Sequence, residues 1–155
     1  MPEFFKTRLE NTRQTQQGRL NSKLKERLGY LGIYSQRNYQ LFFDNLSSLK
    51  QEIIVRELKI EYRQIITSYF VDENKSIEQV DRFVEKAFFI NLPVAKVVEI
   101  HLDLIEDLTR KLKLEGSSTV FLSDYRLVLI DVIAHLGEMY RRAIEKTCFL
   151  PQIVS

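Results

Sequence analysis

Between Asp124 and Arg142 the ionisable side chains recur regularly: Asp124, Asp131, His135, Glu138 and Arg142 follow one another at intervals of seven, four, three and four residues. On a helix that spacing puts them on one side. An imidazole among carboxylates could hold a metal ion or move a proton. Di-metal helical bundles, however, draw Glu-x-x-His pairs from facing helices, and the chain has none. In "EIHLD", Glu99 and His101 stand only two apart and point away from each other. His101 falls on the stripe of Val97, Leu104 and Leu108, where a core histidine satisfied by a hydrogen bond is expected. With two histidines, a remote Cys148 and neither a glycine-rich phosphate loop nor a strand-turn-helix elbow, no nucleophilic constellation emerges. The expectation is a binding or regulatory protein with no catalytic residues, no metal and no cofactor. A metal-dependent bundle enzyme is the competing class, and bound metal in a purified sample would favour it.

The elements that must position these residues read as helices. From about Leu49 to Phe70, Ile53, Ile54, Leu58, Ile65, Ile66 and Tyr69 recur at helical spacing. "DENKS" breaks the pattern, and Ser76 with Gln79 suggests a capping box for a second helix, Ile77 to about Phe89, burying Val80, Phe83, Val84, Ala87 and Phe88. Pro93 suits the first turn of a third helix ending near Leu114 with Gly116 as a left-handed cap, and Lys113 there complements the helix dipole. Ser117 or Ser118 is expected to cap a fourth helix running to about Lys146. The predicted fold is all-α, a four-helix bundle over residues 49–147, preceded by a basic leader (1–26) and a linker (27–48) and followed by a tail (148–155).

The linker contains "RLGYLGIYSQRN", where aromatic and β-branched residues between glycines predict a short extended segment that includes Leu31, Ile33, Tyr34 and Gln36. A lone strand must dock on the bundle or pair with another chain. Residues 1–27 hold seven Lys/Arg against three Asp/Glu, leaving sixteen against eighteen in the remainder. A basic leader could carry phosphate contacts, so a helical nucleic-acid accessory protein is the alternative from another class, and a solvated terminus the plainer one. The absence of any run of roughly 18 apolar residues and of an apolar signal segment predicts a cytoplasmic chain without membrane attachment, and the lone cysteine agrees with a reducing compartment.

The fourth helix is apolar over more than one face. Tyr125, Leu129, Val132, Leu136, Met139 and Ala143 form one stripe, and Leu127, Ile130, Ala134 and Gly137 form a second beside it. The second stripe wants a partner, and a two-fold homodimer is the commonest arrangement that supplies one.

"KAFFINLPVAKVVEIHLDLIEDLTRKLKLEG" followed by "DYRLVLIDVIAHLGEMYRRAI" resembles the C-terminal domain of the KaiA family of cyanobacterial circadian clock proteins. The resemblance spans about Tyr62 to Ile144 and, through the linker, extends upstream to about Arg27. It implies a dimeric four-helix bundle that takes the C-terminal tail of the ATPase KaiC into a groove at the dimer and stimulates KaiC autophosphorylation. The bundle then acts by shifting a conformational equilibrium rather than by chemistry of its own. A KaiC-binding antagonist without activation is the alternative within the same family.

By this resemblance, His135 of the "AHL" motif belongs to the tail site, with Asp131, Glu138 and Arg142 as supporting polar contacts along the groove. Glu138 and Arg142, four apart, would equally form a simple solvated pair. Phe88 and Phe89 are expected in the core. The linker segment is implied to fold back over the groove when KaiB, a further partner, captures the protein. Three departures stand out. Residues 1–26 cannot contain the receiver-like domain of long members, so its input role is not expected; Gly137 replaces the usual cysteine after "IAHL"; and Ser35 and Gln36 replace the usual aromatic and lysine.

Overall fold

A computed structural model describes the backbone of residues 37–154 and the side chains of residues 37–145. The described residues form four α-helices: α1 (Ser48–Ser68), α2 (Glu73–Phe89), α3 (Val94–Leu114) and α4 (Arg126–Val154). Two short 3-10 turns, Tyr39–Leu41 and Phe43–Asn45, lead into α1, and a third, Val120–Tyr125, leads into α4. Among the described residues there is no strand, and the architecture is the expected all-α bundle. The extended segment with Leu31, Ile33, Tyr34 and Gln36 lies outside the described residues, as do the leader and the side chain of Cys148.

Local chemistry explains most boundaries. Ser47 caps α1 by accepting from the Lys50 amide. The α2 cap is Asp72, which accepts from the Lys75 amide, rather than Ser76; Ser76 sits inside the first turn, fully buried, its hydroxyl donating to Glu73 O. Aspartate caps as strongly as serine, and Glu73 in the first turn complements the helix dipole, so the helix begins four residues earlier than Ile77. Gly116, at φ +73°, ends α3 in the left-handed region as anticipated. Neither Ser117 nor Ser118 caps α4 directly, because the 3-10 turn of Val120–Tyr125 intervenes, and α4 continues past Lys146 to Val154.

The helices stand around one core so that α1 touches α2 and α3, and α4 touches the same two; α1 and α4 therefore face each other diagonally. Tyr62, Ile65, Phe83, Val84, Phe88, Leu92, Val97, Val128, Val132 and Leu136 are sealed inside, each worth roughly 1.5–3 kcal/mol of burial. The predicted apolar positions of α2 are all buried, but on α1 Ile53 is 44% exposed. On α4 the innermost stripe passes through Val128, Val132, Leu136, Met139 and Ala143, whereas Tyr125 and Leu129 lie at its margin, half-buried.

Candidate partner-binding site

The polar line of α4 divides into an inner and an outer half. Asp131 and His135 are each only 1% exposed, enclosed by the bundle's own core rather than lining an open groove wall. Tyr69, the residue after α1, donates its hydroxyl to Asp131 Oδ2 at 3.1 Å and so ties the two diagonal helices together. His135 Nδ1 lies 2.7 Å from Asp131 O and 2.9 Å from Asp131 Oδ1. The backbone oxygen can only accept, so the ring carries a proton on Nδ1 and donates it to Asp131 O, with the carboxylate oxygen close by. Nε2 is buried and has no hydrogen-bond partner among the described residues. The physical reason for this placement is register: positions 131 and 135 directly precede Val132 and Leu136, and the core of a four-helix bundle is wide enough to take both rows.

Glu138 and Arg142 form the outer half. Glu138 accepts from Arg141 Nη2 at 2.6 Å and from Arg142 Nε at 3.2 Å, and Glu145 lies 3.4 Å from Arg141 Nη1 and 3.8 Å from Arg142 Nη1. The hydrogen bond from Arg141, with the charges of both arginines, holds the Glu138 carboxyl below its usual range. Arg141 lies one position off the line through Asp131, Glu138 and Arg142, so spacing alone does not single it out. Asp124, at the other end of the line, is half-buried beside Tyr125, whose hydroxyl is pushed up first by burial and then by that carboxylate.

Next to this polar line lies an apolar face that the chain leaves uncovered. Ile130 is 57% exposed and Ile144 63%, with Leu127, Ala134 and Gly137 half-buried between or beside them. The 3-10 turn adds Val120, 77% exposed, and Phe121, 46% exposed. A Cβ built on Gly137 would meet nothing within 4 Å, so its own chain does not demand a glycine there. Phe121 continues inward through ring contacts with Tyr125, Phe70 and Tyr69, which joins the exposed turn to the buried tyrosine that holds Asp131. Of the two predicted core phenylalanines, Phe88 is fully buried and Phe89 is 40% exposed.

His101 behaves as its stripe suggested. Its Nδ1 lies 2.7 Å from Tyr62 Oη inside the core, and burial lowers its pKa. Burial favours the neutral imidazole, and in that form the Tyr62 hydroxyl donates to Nδ1 while the ring proton sits on Nε2. No group of three or more His, Cys, Asp or Glu among the described residues is placed to hold a metal ion, and no described helix is long and apolar enough to cross a membrane.

Comparison with known proteins identifies this arrangement. The family model for the KaiA C-terminal domain matches residues 26–147. The circadian clock oscillator protein KaiA of Synechocystis sp. is 50% identical over 131 residues, 84% of this chain but 44% of that protein, so the chain spans less than half the length of this relative. The KaiA of Nostoc sp. is 46% identical over 96 residues, 62% of this chain and 94% of that protein. The crystal structure of the C-terminal domain of Thermosynechococcus elongatus BP-1 KaiA superposes with a TM-score of 0.56 at 48% identity, over 64% of this chain and 94% of that one. The chain belongs to the KaiA family, whose C-terminal helical domain it carries.

Proposed function

We propose that this chain is a circadian clock regulator that works by binding: it self-associates as a homodimer, engages the C-terminal tail of KaiC and stimulates KaiC autophosphorylation. The observation that carries the reading is the uncovered apolar face of α4, Leu127, Ile130, Ala134, Gly137 and Ile144, in a chain whose sequence matches the KaiA C-terminal domain. Apolar area of this kind is stabilised by burial against a second copy or a bound peptide.

Within the tail site, Glu138 and Arg142 supply polar contacts at the surface. Asp131 and His135 act from beneath, holding the facing helices at the spacing the site needs. The Leu31, Ile33, Tyr34 and Gln36 segment competes with the tail for the same groove and responds to KaiB. Activity comes from differential affinity for the KaiC state whose tail is extended, so no catalytic group is required of this chain.

Ile130→Glu tests the reading, because it puts a charge on the apolar face at an exposed position where the monomer's own packing is hardly disturbed. Sedimentation should show the wild-type dimer turning into a folded monomer, and titration with a fluorescent KaiC tail peptide should show at least a tenfold loss of affinity. A variant that stays dimeric and binds as before would overturn the assignment of this face. Activation is distinguished from antagonism by KaiC phosphorylation itself.

A further inference from the structure

Arg37, at the entrance to the bundle, sits among rings. Its guanidinium carbon is 4.3 Å from the centre of the Phe88 ring, 5.0 Å from that of Phe42 and 5.8 Å from that of Tyr140. Nη1 donates to Phe88 O at 3.2 Å and to Asn91 Oδ1 at 3.1 Å, and a terminal guanidinium nitrogen has the two hydrogens needed to make both bonds at once. Two of the three rings and both acceptors belong to the bundle, at the end of α2, the turn after it, and α4.

The bundle fixes that receptor independently of Arg37. Phe88 is fully buried, and its ring centre lies 5.7 Å from that of Tyr140. The Tyr140 hydroxyl is held by Leu92 O at 2.6 Å and Ala87 O at 3.2 Å. Asn91 is set in the left-handed region at φ 51°, with its amide on Phe88 O and the Leu92 amide on Ala87 O, which aims its side chain. Phe43 is a second, separate pin: it is buried, its amide donates to Ile90 O at 2.6 Å, and its carbonyl accepts from Gln51 Nε2 at 2.8 Å. Loss of Arg37 therefore leaves the chain attached from Phe43 onward.

Aromatic faces bordered by neutral oxygen acceptors attract a cation more strongly where water is partly excluded, and a planar guanidinium stacks and hydrogen-bonds at once where an ammonium cannot. We propose that the α2–α3 turn, with Phe88, Asn91 and Tyr140, is a guanidinium-binding site that Arg37 fills from within its own chain. Arg37 is thereby a latch that pins its own chain to the α2–α3 turn. Neither the dimer nor any KaiC interaction is needed for this inference.

Chemical rescue tests it in the full chain. In Arg37→Ala, amide exchange at Asn91 and Leu92 should accelerate on the order of tenfold, and millimolar ethylguanidinium should restore the protection saturably while shifting the Asn91 side-chain amide resonance. Ethylammonium at equal concentration should restore far less, and the wild-type protein, whose site is filled, should give no saturable response. Unchanged exchange in Arg37→Ala, equal rescue by the two cations, or the same response in wild type would each overturn the proposal. Arg37→Lys, which keeps the charge and most of the packing, supplies the same readouts should the alanine variant fail to fold: ethylguanidinium should still increase protection saturably, and no increase would contradict the assignment.

Discussion

The buried polar residues set what single substitutions do to this protein. His101 is neutral in the fold, its Nδ1 accepting from Tyr62, and burial depresses its pKa below the usual value of about 6.5. A histidine with a depressed folded pKa contributes stability that is fully present above about pH 6.5 and is lost as pH falls through the folded pKa, because the unfolded chain takes up the proton first. NMR titration should find the His101 ring titrating below 6.5, with denaturant stability declining across that window; a ring titrating at or above 6.5 would contradict this. His135→Ala removes the Nδ1–H donor from the buried Asp131 and leaves a cavity, so the fold should lose about 2–4 kcal/mol. By the proposed role, tail affinity should also fall while the variant remains a folded dimer; unchanged affinity would remove His135 from the site. That His101 belonged to the core was legible from its stripe. That Asp131 and His135 are interior was not, since an i,i+4 pair on a mixed face is compatible with groove or core until the diagonal partner Tyr69, 62 residues away, is placed.

At the scale of elements, the helices are readable because their apolar periodicity is strong, and the differences lie at their boundaries, the starts of α2 and α4 and the end of α4. Asp72 competes with Ser76 for the same cap, and both have the side-chain chemistry to win. The 3-10 turn of Val120–Tyr125 carries the same apolar spacing as a helix over a few residues, which local pattern does not separate from α. Gly137 offers a test of what covers α4. A helix-interior glycine costs about 0.5–1 kcal/mol relative to alanine, and the added Cβ meets nothing in its own chain. Gly137→Ala should therefore raise the thermal midpoint of the monomeric Ile130→Glu background. A fall in that background would mean that the helix needs the glycine for a reason internal to the chain, whereas a fall confined to the wild-type dimer would place a second backbone close to position 137.

At the scale of the molecule, few glycines and prolines and short connections were enough to read a four-helix bundle. They could not reveal that α1 and α4 are diagonal, or that Arg37 and Phe43 bind the entering chain to the far end of α2. Those features depend on contacts between residues about 50 apart, invisible to periodicity. Exposed apolar side chains occur on other helices too, Leu49, Ile53 and Ile60 on α1 and Leu102 and Leu114 on α3 among them, while α4 and the turn before it expose Val120, Phe121, Ile130 and Ile144 as one face. The proposed regulator acts through that face. Its most direct test is KaiC phosphorylation followed over time in Mg-ATP by gel mobility, with and without this chain. A clear rise in phosphorylated KaiC that Ile130→Glu fails to produce is the expected result; phosphorylation unchanged by a folded wild-type chain would contradict stimulation, and tail binding without a rise would mark an antagonist.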